Sequence, residues 1–360
     1  MRIVIVAVSA RMLAESAVAD GHEVTAFDRF GDVDLRAIAA GATAPSTDAL
    51  TRLAQRAEAE AVVYGAGFEN RPDLVRRLAA GRELLGVAPE PLLAVRDPWA
   101  LAAAAAEAGA RMPETRRPAD APTRPEGTTW LRKPRAGGGG RGVRRWSGGR
   151  LRPSEILQRR VDGLSCSAVA IADGHRATVL GITEQLHRPD FGWTGNVSPP
   201  RLPASERDEL GGRLHAVCQA VGGRFGVRGA FGVDAVWDGR RAWVLEVNPR
   251  PTASLELFGP GAFAAHVDGA RGVSLPTPGV PPAVRCAKVK LVLFADRDLR
   301  APDPGWWPPG LVRDIPHLDE PIARGAPLCT LVSATDEPYQ LASRGARLLA
   351  ALPDRTAAHA

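Results

Sequence analysis

Lysine is almost missing from this chain of 360 residues: of its 46 basic residues only Lys133, Lys288 and Lys290 are lysines, and the rest are arginines. The formal charge of +6 is therefore a matter of composition, with arginines dispersed among 40 acids and only 5% aromatics. Nucleic-acid binders concentrate basic charge in runs interleaved with aromatics, so no nucleic-acid partner is expected. No stretch approaches the roughly 18 consecutive apolar residues of a membrane helix, and none is expected to enter a bilayer. The apolar start, Ile3–Val8, is too short to span and lacks a small-residue cleavage pattern, so it reads as the first buried strand of a cytoplasmic protein. Cys166, Cys218, Cys286 and Cys329 form no C-x-x-C pair, which argues against both a zinc site and a disulfide framework.

Two nucleotide signatures are absent as well. After Ile3–Val8 comes Ser9-Ala10-Arg11-Met12, with none of the glycines that let a dinucleotide pyrophosphate approach the backbone. The one glycine-rich loop has its lysine before the glycines and no following Ser or Thr, so it is not a Walker A motif.

What is present has the length and apolar content of a protein of two or three domains, at roughly 100–200 residues each. Residues 1–92 alternate apolar runs and helical stretches in the order Ile3–Val8, Met12–Ala19, Val24–Phe27, Asp48–Ala59, Ala61–Tyr64. That pattern predicts a parallel sheet whose ligands meet the carboxyl ends of its strands: Ser9 and Ala10, Asp28, and Gly65-Ala66-Gly67-Phe68-Glu69. An alanine-rich helix is predicted between Arg96 and Ala110, ended by Gly109 and Pro113. Strands and loops then run to about residue 274, with a helix at Glu206–Val221, and a proline-rich linker at 276–282 precedes a β-rich unit over 283–360 closed by a helix at Gln340–Ala351.

Two segments carry chemistry. In Lys133-Pro134-Arg135-Ala136-Gly137-Gly138-Gly139-Gly140-Arg141-Gly142-Val143 a lone lysine ends a strand and four consecutive glycines follow. Glycines are costly to order, and unhindered amides in succession make a nest for phosphate oxygens. The second segment, Gly229–Arg250, reads as an antiparallel hairpin. Phe231, Val233, Ala235 and Trp237 share one strand face, and Trp243, Leu245 and Val247 share one on the next. If both rows meet the same core, the register sum is even, which calls for a loop of odd length, and a five-residue loop sets Asp234 opposite Glu246 at a Cβ separation of ~5 Å. Asp234, Glu246 and Asn248 then share the other face as oxygen-only ligands suited to magnesium. Arg250, between Pro249 and Pro251, is placed to stabilise charge on a transferring phosphoryl group.

These motifs, together with Leu157-Gln158-Arg159-Arg160-Val161-Asp162-Gly163, resemble the ATP-grasp superfamily in order along the chain. The resemblance implies an α/β fold with an N-terminal parallel-sheet domain (1–92), a two-lobed ATP-grasp domain (93–274) and a small β-rich C-terminal domain (283–360). It gives Lys133 to the nucleotide phosphates and Gly138, Gly139 and Gly140 to the lid over them. Gln158, Arg159 and Val161 would form the adenine hinge, with Asp162 or Ser165 near the ribose. Asp234, Glu246 and Asn248 would hold Mg2+ or Mn2+, and Arg250 and Lys133 would be catalytic. The family's usual upstream lysine is missing, and Arg96 stands nearest its place. The implied activity is ATP-dependent joining of a small-molecule carboxylate to an amine, with ADP released; a homodimer is compatible with it. Phe191-Gly192-Trp193-Thr194-Gly195-Asn196-Val197-Ser198-Pro199-Pro200 is similar to the branch containing tyramine–glutamate ligase and proteins that build methanofuran, methylofuran and tetrahydromethanopterin. Other readings are a carboxylase acting through carboxyphosphate, for which the last domain speaks, and an ATP-binding regulator without turnover. Lys288 and Lys290 alternate on one strand face and read as a solvated edge within reach of an acidic substrate.

Overall fold

The computed structural model describes residues 1–125, 127, 129–277, 288–334 and 337–353; Cys286, Thr128 and residues 278–282 of the expected linker lie outside them. The amino-terminal part has five parallel strands, β1 (Arg2–Val6), β2 (Glu23–Asp28), β3 (Ala40–Thr43), β4 (Ala61–Tyr64) and β5 (Glu83–Leu84), in the order β3-β2-β1-β4-β5. The helices α1 (Arg11–Ala19), α2 (Val33–Ile38), α3 (Thr47–Ala54) and α4 (Pro72–Ala79) make the crossovers. The sequence pattern missed α2, α4, β3 and β5. The two helices are only six and eight residues long, and the strands have too little apolar content to show a period: β3 is Ala-Gly-Ala-Thr, and Gly41 is required there because a Cβ would sit 1.8 Å from the Ala26 carbonyl oxygen.

Two short helices, α5 (Pro89–Val95) and α6 (Pro98–Glu107), lead into a four-stranded antiparallel sheet of β6 (Thr115–Arg116), β7 (Trp130–Pro134), β8 (Arg144–Arg145) and β9 (Glu155–Arg159). Asp97 caps α6 by accepting the Trp99 and Ala100 amides, and Gly109 leaves the helix at φ +70°, as the capping residues predict. A larger antiparallel sheet follows. It contains β10 (Leu164–Asp173), β11 (Ala177–His187), β12 (Trp193–Ser198), β13 (Arg228–Trp237) and β14 (Ala242–Asn248), with α7 (Ala204–Phe225) and α8 (Ala262–Arg271) packed on it. Strand alternation divides its two faces. Ala168, Ala170, Phe231, Val233 and Ala235 join Leu210, Leu214 and Val217 of α7 in one core, whereas Val169, Ile171 and Ala230 meet Phe263 and Val267 of α8 in another.

Most of the carboxyl-terminal β structure joins the large sheet. Of β15 (Lys288–Phe294), β16 (Leu299–Arg300), β17 (Val312–Arg313), β18 (Pro321–Ile322) and β19 (Pro327–Ser333), three extend the large sheet to eight strands in the order β14-β13-β10-β11-β12-β15-β19-β17, and α9 (Pro338–Ala351) packs on β15 and β19. The strands β16 and β18 pair as a separate two-stranded sheet. This corrects the reading of Lys288 and Lys290 as a solvated edge: β15 lies between β12 and β19, and Lys290 is 4% exposed with its ammonium 2.5 Å from Glu256.

That ion pair belongs to a buried junction joining three parts of the chain. Arg11, which opens α1 and is 1% exposed, donates to Glu256 and to Asp314 Oδ1 at 3.0 Å. Burial opposes ionisation of Glu256, but the charges of Lys290 and Arg11 overcome it and hold its pKa at about 2. Removing one member of such a network strands the others in a poorly solvating interior. Arg11→Met is therefore expected to destabilise the fold by about 3–5 kcal/mol, read from denaturant unfolding; a loss below about 1 kcal/mol would show that the junction contributes little net stability.

Candidate functional site

The hairpin of β13 and β14 does not reach its register by the predicted route. Its loop has four residues, Asp238–Arg241, so that Trp237 pairs with Ala242. Asp238 closes this loop, its Oδ1 accepting the amides of Arg240 at 2.9 Å and Arg241 at 2.8 Å while Oδ2 accepts the Trp243 indole at 2.7 Å. An even loop alone would set Leu245 opposite Asp234 and send Glu246 to the other face. Instead the ladder slips by one residue between Asp234 and Ala235: Ala235 faces Val244, Asp234 faces Glu246, and Leu245 is the extra residue of a β-bulge. The four-residue loop also changes which side chains are buried. Ala242, Val244 and Val247 join Phe231, Val233, Ala235 and Trp237 in the α7-side core, whereas Trp243 and Leu245, expected there, are only half-buried.

Asp234 and Glu246 thus face each other on the side of the sheet away from α7, as the sequence predicts, though by another mechanism. Asp234 lies between polar neighbours: Asn248 donates Nδ2 to its Oδ2 at 3.0 Å, and the side chains of Ser167 and Gln185 also hydrogen-bond to it. Burial first, and then the charge of Glu246, push the Asp234 pKa up to about 6 despite these three bonds. Among the described residues no basic side chain forms an ion pair with either carboxylate. Two carboxylates and a nearby amide, all hard oxygen donors, fit Mg2+ or Mn2+ completed by water and phosphate oxygens. No cluster of three His, Cys, Asp or Glu side chains suited to a metal occurs among the described residues.

Arg250 extends from the same strand end. It donates Nε to Glu69 Oε1 at 3.2 Å and lies 3.5 Å from Asn248 Oδ1. Glu69 is 5% exposed, and its other oxygen accepts the Gly67 amide at 2.6 Å. Burial works against its ionisation, yet Arg250, Arg96 and backbone amides outweigh that and keep its pKa below the usual carboxylate range. The sequence placed Glu69 only in the loop after β4. Its contact with Arg250 spans 181 positions, and no local pattern announces it.

Arg96 is committed to backbone carbonyls: it donates to Gly137 O at 2.6 Å and Val247 O at 3.1 Å, and its Nε donates to Asn70 at 2.9 Å. It therefore ties the glycine loop to β14. The loop itself lies between Glu69 and the segment before β12. A Cβ on Gly138 would come within 3.7 Å of Glu69 Oε1, one on Gly140 would collide with the Phe191 carbonyl at 1.9 Å, and Gly139 O accepts the Trp193 amide at 3.0 Å. Gly139 and Gly140 have φ of +60° and +73°, a region that favours glycine.

Lys133 donates Nζ to Gln158 Oε1 at 3.0 Å, and Gln158 donates Nε2 to Thr115 at 3.1 Å, so these two predicted nucleotide residues meet across β7 and β9. Arg159 and Asp162 are exposed and Val161 half-buried; the Arg159 amide is already bonded to Glu114 O, and Asp162 pairs with Arg160. Asp28 also has local work, since its carboxylate accepts the Ala10 amide at 3.1 Å and the Gly31 amide at 2.8 Å.

Residues 95–254 match the family described as the ATP-grasp domain. No curated protein matches the sequence. The chain is similar to a biotin carboxylase from Campylobacter jejuni solved with an ATP analogue (15% identity, 95% of this chain and 89% of that one, TM-score 0.72). It is also similar to N5-carboxyaminoimidazole ribonucleotide synthetase from Thermotoga maritima (13%, 97% and 98%, TM-score 0.66). A third likeness is to Rhizobium etli pyruvate carboxylase (17%, 96% of this chain, TM-score 0.74), of which the chain spans only 37%. At these identities the likeness speaks for the fold, which is the mixed α/β ATP-grasp fold. The expected ATP-dependent ligase chemistry with ATP and Mg2+ accords with the domain match.

The raised Asp234 pKa has a sign. Without a cation, the folded protein holds a proton there more tightly than the unfolded chain does, so the ionised pair costs stability above about pH 6 and that cost fades towards pH 4. Asp234→Asn should raise the melting temperature in EDTA at pH 8 by about 2–6 °C and leave it nearly unchanged at pH 4.5. An equal shift at both pH values would show that the carboxylate pair is not its source.

Proposed function

We propose that this chain uses its ATP-grasp fold to join a small-molecule carboxylate to an amine through an acyl phosphate, releasing ADP and phosphate. The observation that carries this reading is the half-buried pair Asp234–Glu246, which forms no ion pair with a basic side chain among the described residues and is flanked by Arg250, whose partner Glu69 meets the glycine loop. Mg2+ at the pair would neutralise the carboxylates and the phosphate oxygens gathered there. Lys133 and the amides of Gly138, Gly139 and Gly140 would hold the nucleotide phosphates, and the segment Gln158–Val161 the base. Arg250, fixed in direction by Glu69 and by its two flanking prolines, would face the phosphoryl group in flight and then the acyl phosphate. The substrate carboxylate oxygen bonds to the γ-phosphorus as the bond to ADP breaks. The amine nitrogen then bonds to the acyl carbon, phosphate leaves, and the amine proton passes to solvent. Catalysis here is positioning and charge neutralisation without a covalent enzyme intermediate.

The motif resemblance of Phe191–Pro200 supports a finer assignment, to ligases that attach glutamate to a tyramine- or tyrosine-like amine in the making of one-carbon carriers. This segment contacts the glycine loop through Trp193 and Phe191, so a substrate selected there would be felt by the nucleotide lid. A second reading, carboxylation through carboxyphosphate, is favoured by the similarity to a 2-oxoglutarate carboxylase domain solved with MgADP and bicarbonate.

The discriminating measurement is ADP release in the presence of glutamate with tyramine or tyrosine, against bicarbonate without an amine. Glu246→Gln and Lys133→Met are expected to lower the productive rate by about a thousandfold or more. Full turnover in Glu246→Gln would remove the metal site from this assignment, and ADP release driven by bicarbonate alone would replace the ligase with the carboxylase.

A further inference from the structure

Behind the turn of the catalytic hairpin lies a cavity of about 430 Å³, lined by Arg111, Arg213, Arg240, Arg241, Glu209 and small residues that include Ala242. Its position, roughly 13 Å along β14 from Glu246 at the rise of a strand, separates it from the acid pair. Four arginines line it, and two carboxylates are near, Glu209 and Asp238, the latter within the field of Arg241. Glu209 is paired with Arg213 at 2.7 Å, and Asp238 is bonded to Trp243 and to the loop amides.

Arginine is abundant in this chain, so its mere presence proves nothing. Several arginines elsewhere in the fold do hold carboxylates: Arg71 holds Asp48 and Asp73, Arg271 holds Glu83, and Arg201 holds Glu184. Arg111, Arg240 and Arg241 are exposed and make no carboxylate ion pair among the described residues. Like charges left together around a concavity repel unless an anion occupies it, and planar guanidinium groups match the oxygens of phosphate and carboxylate in pairs. The volume falls within the range of small-molecule sites, about 300–1,000 Å³.

The cavity is also wired to the hairpin. The Arg111 carbonyl accepts the Val244 amide at 2.8 Å, and Arg111 forms an isolated parallel bridge with Trp243. Val244 adjoins Leu245, the extra residue that turns Glu246 towards Asp234. A ligand that draws in Arg111, Arg240 and Arg241 therefore acts on the loop side of the bulge on which the acid pair depends.

We propose that this cavity binds a small polyanion, a compound with two or more phosphate or carboxylate groups, and that its occupancy changes nucleotide affinity through the Arg111–Val244 contact. Neither half depends on the ligase assignment, because both are read by binding alone. The full-length protein is saturated with MgADP at constant free Mg2+, which fills the nucleotide site, and titrated calorimetrically with pyrophosphate and with tricarballylate. Saturable binding of at least one is expected, with a Kd raised about tenfold or more in the double variant Arg240→Gln/Arg241→Gln. That variant alters only exposed loop side chains and should melt with the wild type. Preference for pyrophosphate would identify a phosphorylated ligand, and preference for tricarballylate a polycarboxylate. Absence of saturable binding, or equal affinities in the two proteins, overturns the site. For the coupling, the Kd of MgADP should shift about threefold on adding the polyanion in the wild type and not in Arg111→Gln or in the double variant; an unchanged wild-type Kd overturns it.

Discussion

The chemistry of this molecule rests on one irregularity in a hydrogen-bond ladder. A four-residue loop closed by Asp238 imposes an odd register on the hairpin, and only the extra residue Leu245 restores the even one that sets Glu246 across from Asp234. Without it Glu246 would turn into the core formed with α7, where an isolated carboxylate is prohibitively costly. With it, two carboxylates share one face, where a divalent cation would relieve their mutual repulsion. The strain of that repulsion is visible in the Asp234 carboxyl, which burial and Glu246 push up to about 6.

Around that pair the fold gathers segments that are remote in sequence. Glu69 comes from the carboxyl edge of the parallel sheet, Arg96 from the end of α5, the glycine loop from the small antiparallel sheet, and Arg250 from the end of β14. Each is bound to at least one of the others, so the phosphate loop, the arginine and the strand carrying Glu246 cannot shift independently. The Arg11–Glu256–Lys290–Asp314 junction performs a similar service on a larger scale, pinning the first helix to β15 and to the turn at Asp314. Buried charge is a costly fastener, but it is directional in a way that apolar packing is not, and a site assembled from several chain segments needs direction.

Much of this was legible in the residues themselves. The alternation of β1, α1, β2, α3 and β4 follows from apolar period, the end of α6 from Gly109, and the face of Asp234 from the requirement that Phe231, Val233 and Ala235 be buried. The glycines before Val143 announced close contacts, which the structure identifies as Phe191, Trp193 and Glu69. Elements with little apolar content, such as β3, were invisible because their strand character comes from neighbours alone.

The sequence by itself determined the local preferences and the types of donor: oxygen ligands at 234, 246 and 248, a lone lysine before four glycines, an arginine held between prolines. Tertiary structure alone decided how those donors meet. It put Ala242 and Val244 in the core in place of Trp243 and Leu245, because a four-residue loop sets the second strand one residue away from the register that an odd loop would give. It buried Lys290 against Glu256 by continuing the large sheet into the carboxyl-terminal strands. It also brought Glu69 to Arg250 across 181 positions. Period and propensity act over a few residues, whereas register slips, sheet extension and ion pairing are settled by partners that the chain reaches only on folding.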